Sequence, residues 1–293
     1  MLIGMFFISI FFIVFTYAGY PLVVIVLARI SPIPIRKTAD FVRPFVSIII
    51  AAKNEENIIE NRILNLLGQD YPSDKLEIII VSDGSADATE SIIRKMAANF
   101  VNQARISCHA YTPSRGKPTA LNIGIGHAVG DVIVFADARQ QFKKNTVSQL
   151  VSNFSDATVG AVSGELVFLQ EGESEIKAQM GAYWQYEKII RKSESKSGST
   201  VGATGAVYAI RKHLYQQLPP ETILDDVLTP MNILMQGYRV IFDGEALAYD
   251  AISKDVGREW KRKVRTLAGN WQLVSLRTDL LNPRRNTLFF RFC

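Results

Sequence analysis

Charged side chains recur at a few places where a bound molecule could meet them. Glu55 and Glu56 stand in Lys53-Asn54-Glu55-Glu56, Asp83 in Ser82-Asp83-Gly84-Ser85, and Asp137 in Ala136-Asp137-Ala138-Arg139. Each group follows a short apolar run rich in β-branched residues: Phe45 to Ala52, Leu76 to Ser82 and Val132 to Ala136. Such runs read as strands buried on both faces. Open α/β sheets bind ligands beyond the carboxyl ends of their strands. Acids at three such ends therefore offer several hydrogen-bond acceptors to one ligand. Singly, each also has a plain reading: Asp83-Gly84 is ordinary turn chemistry, and the glutamates suit a helix N-terminus. Lys117 follows Gly116 and opens a helical pattern, where a cation plus free backbone N–H groups suits a diphosphate. Arg139 cannot ligate a metal, but it can fork onto phosphate oxygens. Asp225-Asp226 precedes an apolar helical run, and capping alone hardly requires two adjacent acids.

The elements that must hold these residues follow from periodicity. Ile58, Ile59, Ile63, Leu66 and Leu67 recur at helical spacing within 55–67. Ser85 or Asp87 is placed to cap a second helix carrying Ile92, Ile93 and Met96. A third helix is expected from about Lys117 to Val129, and further strands over Val159 to Leu169 and Val207 to Ile210. Strands alternating with helices predict an α/β fold with a mostly parallel sheet. Tyr183, Trp184, Tyr186 and Glu187 share a helix-like stretch, whose aromatic rings could stack on a ligand or pack in the core. The Ser/Lys/Glu-rich patch Ser193 to Thr200 reads as an exposed loop.

No charge interrupts Met1 to Leu27, and spanning a ~30 Å hydrocarbon core takes about 20 apolar helical residues. Arg29, Arg36, Lys37 and Arg43 follow, with Asp40 against them, which predicts a cytosolic position for what comes next. A cleaved signal is disfavoured, because a basic n-region and a small-residue cleavage site are missing. The formal net charge of +5 suits anionic partners. Two distant cysteines and three scattered histidines give neither a disulfide framework nor a zinc motif. Arg258, Lys261, Arg262, Lys263 and Arg265 crowd one segment, which predicts a basic amphipathic helix at a membrane surface. Basic residues beside membrane-like segments, with no RNA-binding motif, argue against a nucleic-acid partner.

The runs V-S-I-I-I-A-A-K-N-E-E, V-S-D-G-S-A-D, R-G-K-P-T-A-L-N and V-I-V-F-A-D-A-R, followed by V-G-A-T-G-A-V-Y-A-I-R, T-I-L-D-D-V-L-T-P-M and Q-G-Y-R-V-I-F-D, resemble the inverting family 2 glycosyltransferases. The likeness spans about residues 45–275. It implies a GT-A nucleotide-sugar-binding fold and transfer of a hexose or N-acetylhexosamine from a UDP-sugar. By the resemblance, Glu55 or Glu56 and Asp83 hold the nucleoside, and Lys117 the diphosphate. Asp226, the second acid of the Asp225-Asp226 pair, is implied as general base. Asp137 matches the first aspartate of a D-x-D motif that binds Mg²⁺ or Mn²⁺. Arg139 replaces the second aspartate, so the metal stays on Asp137 or Arg139 takes part of the charge neutralisation. Arg262 and Arg265 form an i, i+3 basic pair where polymerising members carry a Q-x-x-R-W motif that contacts diphosphate and acceptor. Thr266 stands where that motif has Trp, and Trp271 follows six residues after Arg265.

The expected organisation is a transmembrane helix over 1–28, a basic linker over 29–44, a cytosolic GT-A domain over 45–255 and a membrane-interface segment over 256–293. Relatives of this kind continue into further membrane helices, so a translocation path would need such helices or a partner membrane protein. The acceptor is expected to be a polysaccharide or a lipid-linked glycan. The alternatives are single-sugar transfer to a lipid phosphate carrier and a non-catalytic nucleotide-sugar-binding membrane protein.

Overall fold

Strand-forming runs and helical periodicities assemble as expected, with one reversal that matters for the site. The computed structural model describes residues 2–38, 41–101, 104–169, 182–251, 256–286 and 288–292. Its strands are β1 (Val46–Ala52), β2 (Leu76–Asp83), β3 (Arg105–Tyr111), β4 (Val132–Ala136), β5 (Gln141–Phe142), β6 (Val159–Leu169), β7 (Val207–Arg211) and β8 (Arg239–Ala251). They form one sheet in the order β3-β2-β1-β4-β7-β6-β8-β5. The β3-β2-β1-β4 half is parallel. β7 runs against both neighbours, β4 and β6, while β8 lies parallel to β6. The sheet is thus mixed. The reversal brings the loop before β7 to the edge where β1, β2 and β4 end.

The apolar runs carry no alternation because both faces are covered. Ile48, Ile50, Ile78 and Ile80 pack under α3 (Ile59–Leu67), α4 (Thr89–Asn99) and α6 (Thr146–Ser152). Ile49, Ile79, Ile133 and Phe135 meet α5 (Lys117–His127) and α8 (Asp225–Met235) on the other side. Burying one such side chain is worth roughly 1.5–3 kcal/mol, so these runs fix the register that aligns the strand ends.

At the N-terminus, α1 (Leu2–Val14), a π-helical turn (Phe15–Gly19) and α2 (Tyr20–Ile30) make one apolar rod. Over Ile3–Ile30 it is long and apolar enough to cross a membrane, and Phe6, Phe7, Phe11 and Phe12 stand exposed on it. The rod is seated on α7 (Ala182–Lys196): the Tyr20 hydroxyl donates to the Glu194 carboxylate, and the Tyr186 hydroxyl to the Tyr17 carbonyl at 2.6 Å. The linker then lies along the domain, with the Ile33 N–H on the Lys196 carbonyl at 2.7 Å and the Arg36 N–H on Asp156 at 3.0 Å.

One expectation is corrected. Ser193 to Thr200 is not an exposed loop. α7 runs through Lys196, and Ser193, Glu194, Ser195, Ser199 and Thr200 are buried. Ser195 Oγ accepts the Phe242 N–H at 3.0 Å, and Ser199 Oγ accepts the Val240 N–H at 3.1 Å. The Thr200 N–H donates to the Val240 carbonyl at 2.8 Å. These groups cover the edge of β8 that the two-residue β5 does not reach, so hydroxyls stand in for a neighbouring strand.

Candidate active site

β4 delivers Asp137, and a buried cation fixes the turn that carries it. Arg62 of α3 has no exposed surface. Its Nε donates to the Asp137 carbonyl at 3.0 Å, its Nη1 to Asn65 Oδ1 at 2.6 Å, and its guanidinium lies 4.2 Å from the Phe142 ring centre. Burial pulls its pKa down to about 9, against the opposing pull of Asp137. Asn65 ties the next turn down by accepting the Phe142 N–H and donating to the Phe142 carbonyl, both at 2.8 Å.

β2 delivers Asp83, which is buried and organises the loop before α5. Its carboxylate accepts the Ser114 hydroxyl at 2.8 Å, the Arg115 N–H at 2.7 Å and the Gly116 N–H at 3.0 Å. Burial raises its pKa, but these bonds outweigh burial and hold it below the usual carboxylate value. The loop so fixed presents Lys117 at the first turn of α5. Lys117 Nζ donates to Asp137 Oδ1 at 3.0 Å and lies 3.5 Å from Asp225 Oδ2. Burial alone would lower the Lys117 pKa; Asp225, Asp137 and Asp226 together raise it above the ordinary lysine value.

α8 begins at the acid pair. Asp225 is buried, and its Oδ2 accepts no hydrogen bond among the described residues. Asp226 is partly exposed. Burial and the charge of Asp225 push the Asp226 pKa up to about 6, with Lys117 pulling against them. The loop before β7 wraps this helix start: the Ala203 N–H donates to the Asp226 carbonyl at 2.8 Å. A Cβ on Gly205 would lie 2.7 Å from Asp226 Oδ2. Gly205→Ala is therefore expected to displace the carboxylate by rotation at little cost in stability. By the resemblance Asp226 is the general base, and misplacement of a reacting group by ~1 Å costs on the order of 100-fold, so on that reading kcat should fall by that much with nucleotide affinity unchanged. Single-turnover kinetics beside nucleotide titration check this, and a wild-type kcat would refute it.

The two glutamates part company. Glu55 is half-buried and faces the site: burial raises its carboxyl pKa, Arg139 pulls it down, and Asp87 and Asp137 push it up. Glu56 is exposed and turned toward α4, accepting the Ala88 N–H at 2.9 Å. Arg139 lies 2.8 Å from Asp250 of β8. Arg265 is exposed on α9 (Val256–Leu276), and Arg262 lies on the same helix with its side chain outside the described residues. α9 meets the site through its last turns. Gly269 abuts Leu224, where a Cβ would come within 2.5 Å, and Gln272 Oε1 accepts the Ile223 N–H at 2.9 Å. Glu55, Lys117, Asp137, Arg139, Asp225 and Asp226 thus converge, with Asp83 behind Lys117.

Sequence reading passed over Arg62 and Asp250. Arg62 did leave a signal, as the one charged residue among Ile59, Ile63 and Leu66 on the buried face of its helix. Asp250 left none, because only the β5–β8 pairing of Gln141 with Tyr249 brings it beside Arg139.

Among the described residues, no three His, Cys, Asp or Glu side chains gather as a metal cluster. Asp137 offers one carboxylate. A magnesium-type ion held by one carboxylate, substrate phosphates and water is ordinary chemistry, so this donor set fits an ion that arrives with a diphosphate.

A mixed α/β sheet with acids at its strand ends and a lysine between them suits a glycosyltransferase of GT-A fold, and comparison with known proteins shows this chain to be one. The chain belongs to glycosyl transferase family 2, whose model matches residues 47–218. It is 26% identical over 237 residues to the poly-β-1,6-N-acetyl-D-glucosamine synthase of Staphylococcus aureus, covering 78% of this chain and 55% of that one. It is 26% identical over 247 residues to the probable glycosyltransferase YdaM of Bacillus subtilis, covering 79% and 56%. The chain therefore spans about half the length of these curated relatives. Among solved structures it is similar to the mannosyltransferase PcManGT from Pyrobaculum calidifontis in complex with GDP-Man and Mn²⁺, with a TM-score of 0.74 and 28% identity over 90% of this chain and 73% of that one. It shares its fold with S. aureus TarS 1–349 in complex with UDP-GlcNAc, with a TM-score of 0.56 and 14% identity over 81% and 66%.

Proposed function

We infer that the protein transfers a hexose or N-acetylhexosamine from a UDP-sugar to a polysaccharide or lipid-linked glycan, with inversion, from the cytosolic side of a membrane it spans. The observation that carries this is Asp226: a carboxylate raised to about 6, backed by Gly205 and facing the Lys117–Asp137 pair. A base poised near neutral pH can take the acceptor hydroxyl's proton as the new bond forms at the anomeric carbon. The sugar–phosphate bond breaks on the opposite side, and the electron pair leaves with the diphosphate. Lys117 and Arg139 meet that charge, and by the family resemblance Arg262 and Arg265 of α9 add to it. Asp83 and Glu55 shape the nucleoside end. Asp137 would hold Mg²⁺ or Mn²⁺ accompanying the diphosphate, and such an ion neutralises leaving-group charge.

N-acetylhexosamine donors are favoured by the synthase relative and by the UDP-GlcNAc complex. The GDP-Man complex adds a guanosine donor to the panel that must be tried. The experiment measures nucleoside diphosphate released from UDP-hexoses, UDP-N-acetylhexosamines and GDP-mannose by the membrane-reconstituted chain with glycan or lipid-linked acceptors. Turnover of one donor with an inverted product anomer is expected. A product of retained configuration, or no turnover with any pair, would overturn the reading. Label extracted with lipid instead of retained as polymer would favour transfer to a lipid phosphate carrier.

The outer face of α9 supports the membrane position. Trp260, Val264, Leu267 and Trp271 recur at i, i+4, i+7 and i+11, and are 69%, 48%, 64% and 78% exposed. They lie opposite Gly269 and Leu273, which face the domain. A Trp-bearing apolar stripe suits the headgroup boundary. In vesicles whose acyl chains carry bromine, variants retaining only Trp260 or only Trp271 should be strongly quenched. Fluorescence equal to that in unbrominated vesicles would place this stripe away from lipid.

A further inference from the structure

The third position of the Asp137-Ala138-Arg139 turn holds a cation, and the sheet holds that cation still. Register pairs Gln141 with Tyr249 and Phe142 with Ala248, so Gln140 and Arg139 come alongside Asp250 at the end of β8. Arg139 Nη2 and Gln140 Nε2 both donate to Asp250 Oδ2 at 2.8 Å, while Asp250 Oδ1 accepts the Ala251 N–H at 2.8 Å. The Asp250 side chain is 8% exposed and that of Arg139 is 53% exposed, so the pair has a buried foot and an open head. The other guanidinium N–H groups of Arg139 make no hydrogen bond among the described residues. A guanidinium carries five donors in a rigid fork, and a single bond to Asp250 leaves most of that fork for a ligand.

The cleft needs such a group. Glu55, Asp137, Asp225 and Asp226 converge there against Lys117 and Arg139, and Lys117 is already shared by Asp137 and Asp225. A nucleoside diphosphate adds more negative charge to that balance. A free arginine would meet it only after losing side-chain freedom, whereas one tied at its far edge has already lost it.

Resting on the donor reading above, we propose that Asp250 is a positioning residue that fixes Arg139 as a built-in cation for the donor's diphosphate, at the place where a D-x-D motif would put its second carboxylate. Asp250 itself touches no substrate. It acts through Arg139, and Gln140 donates to the same oxygen, which holds the carboxylate in place beneath the arginine. The arrangement puts a fixed cation where the motif would have a second metal-binding acid, and leaves Asp137 as the turn's remaining metal-binding position.

The test is a double-mutant cycle read by calorimetric titration of UDP and GDP, in the presence of Mn²⁺, on the full chain in detergent micelles. Arg139→Ala should weaken binding of the nucleotide that the wild type takes by about 10- to 100-fold, the range for a lost charge-assisted contact. Asp250→Asn should weaken it by about 10-fold, and Asp250→Glu should recover part of that loss. In the Arg139→Ala background, Asp250→Asn should cost nothing further, which is the outcome a merely structural role cannot produce. Should Asp250→Asn fail to fold in a thermal melt, Arg139→Ala and Asp250→Glu decide the matter between them. Undiminished affinity in Arg139→Ala, or an equal loss from Asp250→Asn with and without the arginine, would overturn the proposal while leaving the donor reading intact. A wild-type chain that binds neither UDP nor GDP would overturn the donor reading, and the proposal with it.

Discussion

Asp226→Asn should lower kcat by about 10³-fold and leave nucleoside diphosphate affinity within twofold, because the amide keeps the carboxylate's shape but cannot take a proton. The pH dependence makes the assignment sharper. In the wild type, kcat/KM should fall about tenfold per unit as the pH drops below the Asp226 value of about 6, since the base of the free enzyme is then protonated. The residual rate of the variant should lack that limb. Stability should move the other way. A carboxyl whose folded pKa lies above its unfolded one destabilises the fold once the pH exceeds both, and the cost fades as the pH falls through the folded value. Asp226→Asn should therefore raise the melting temperature above about pH 6, with the gain shrinking below it. Steady-state kinetics and thermal melts from pH 5 to 8 read both limbs. An unchanged kcat would remove Asp226 from the chemistry.

Replacement of Lys117 by Met should damage both stability and turnover. The ammonium bridges Asp137 at 3.0 Å and Asp225 at 3.5 Å. Without it, Asp225 is a buried carboxylate whose Oδ2 has no donor among the described residues. Breaking a buried pair by deleting one partner typically costs about 3–5 kcal/mol, and the half-exposed lysine places this case nearer 2–3 kcal/mol. Because the folded lysine pKa is raised, its stabilisation is fully present below its ordinary value of about 10.4 and is lost only as the pH climbs through the higher folded value. The loss on mutation should thus be constant across the physiological range. Removing a fixed cation at the leaving group should also cost about 10²- to 10³-fold in kcat/KM. Denaturant unfolding and initial rates of the variant decide it. A variant as stable and as active as the wild type would show that Lys117 is only a solvated lysine.

Much of this site was legible because its supports are continuous apolar strands. A run such as Val46 to Ala52 has few other ways to bury its side chains, so the acids that follow are placed at one edge by the strand itself. Asp225-Asp226 was legible for a related reason, as more acid than a helix start needs. What escaped reading depends on contacts between distant segments. Asp250 gains its partner only from the register of β5 on β8. Arg62 sits on a buried helix face, where a cation is tolerable only because the Asp137 carbonyl, Asn65 and the Phe142 ring receive it. Ser193 to Thr200 misled through composition. Serines favour loops in isolation, yet here they satisfy the open edge of a strand. The choice between Glu55 and Glu56 was likewise set by the neighbouring loop, whose Ala88 N–H draws Glu56 away.

The seating of the N-terminal rod on α7 bears on how the enzyme meets its acceptor. Tyr17 and Tyr20 grip one side of α7, while on another Arg191 donates to the Thr204 hydroxyl at 2.9 Å, one residue before Gly205. Anchor and catalytic wall are thus joined through one short helix, and not by a leash on which the domain could swivel. In the membrane-spanning reading, the cleft keeps one heading relative to the bilayer, and an acceptor confined to that surface meets it in one orientation. A version trimmed at Ser31 would lose that heading. It would also strip the hydroxyl partner from the buried Glu194, so trimming for solubility should cost more than the anchor.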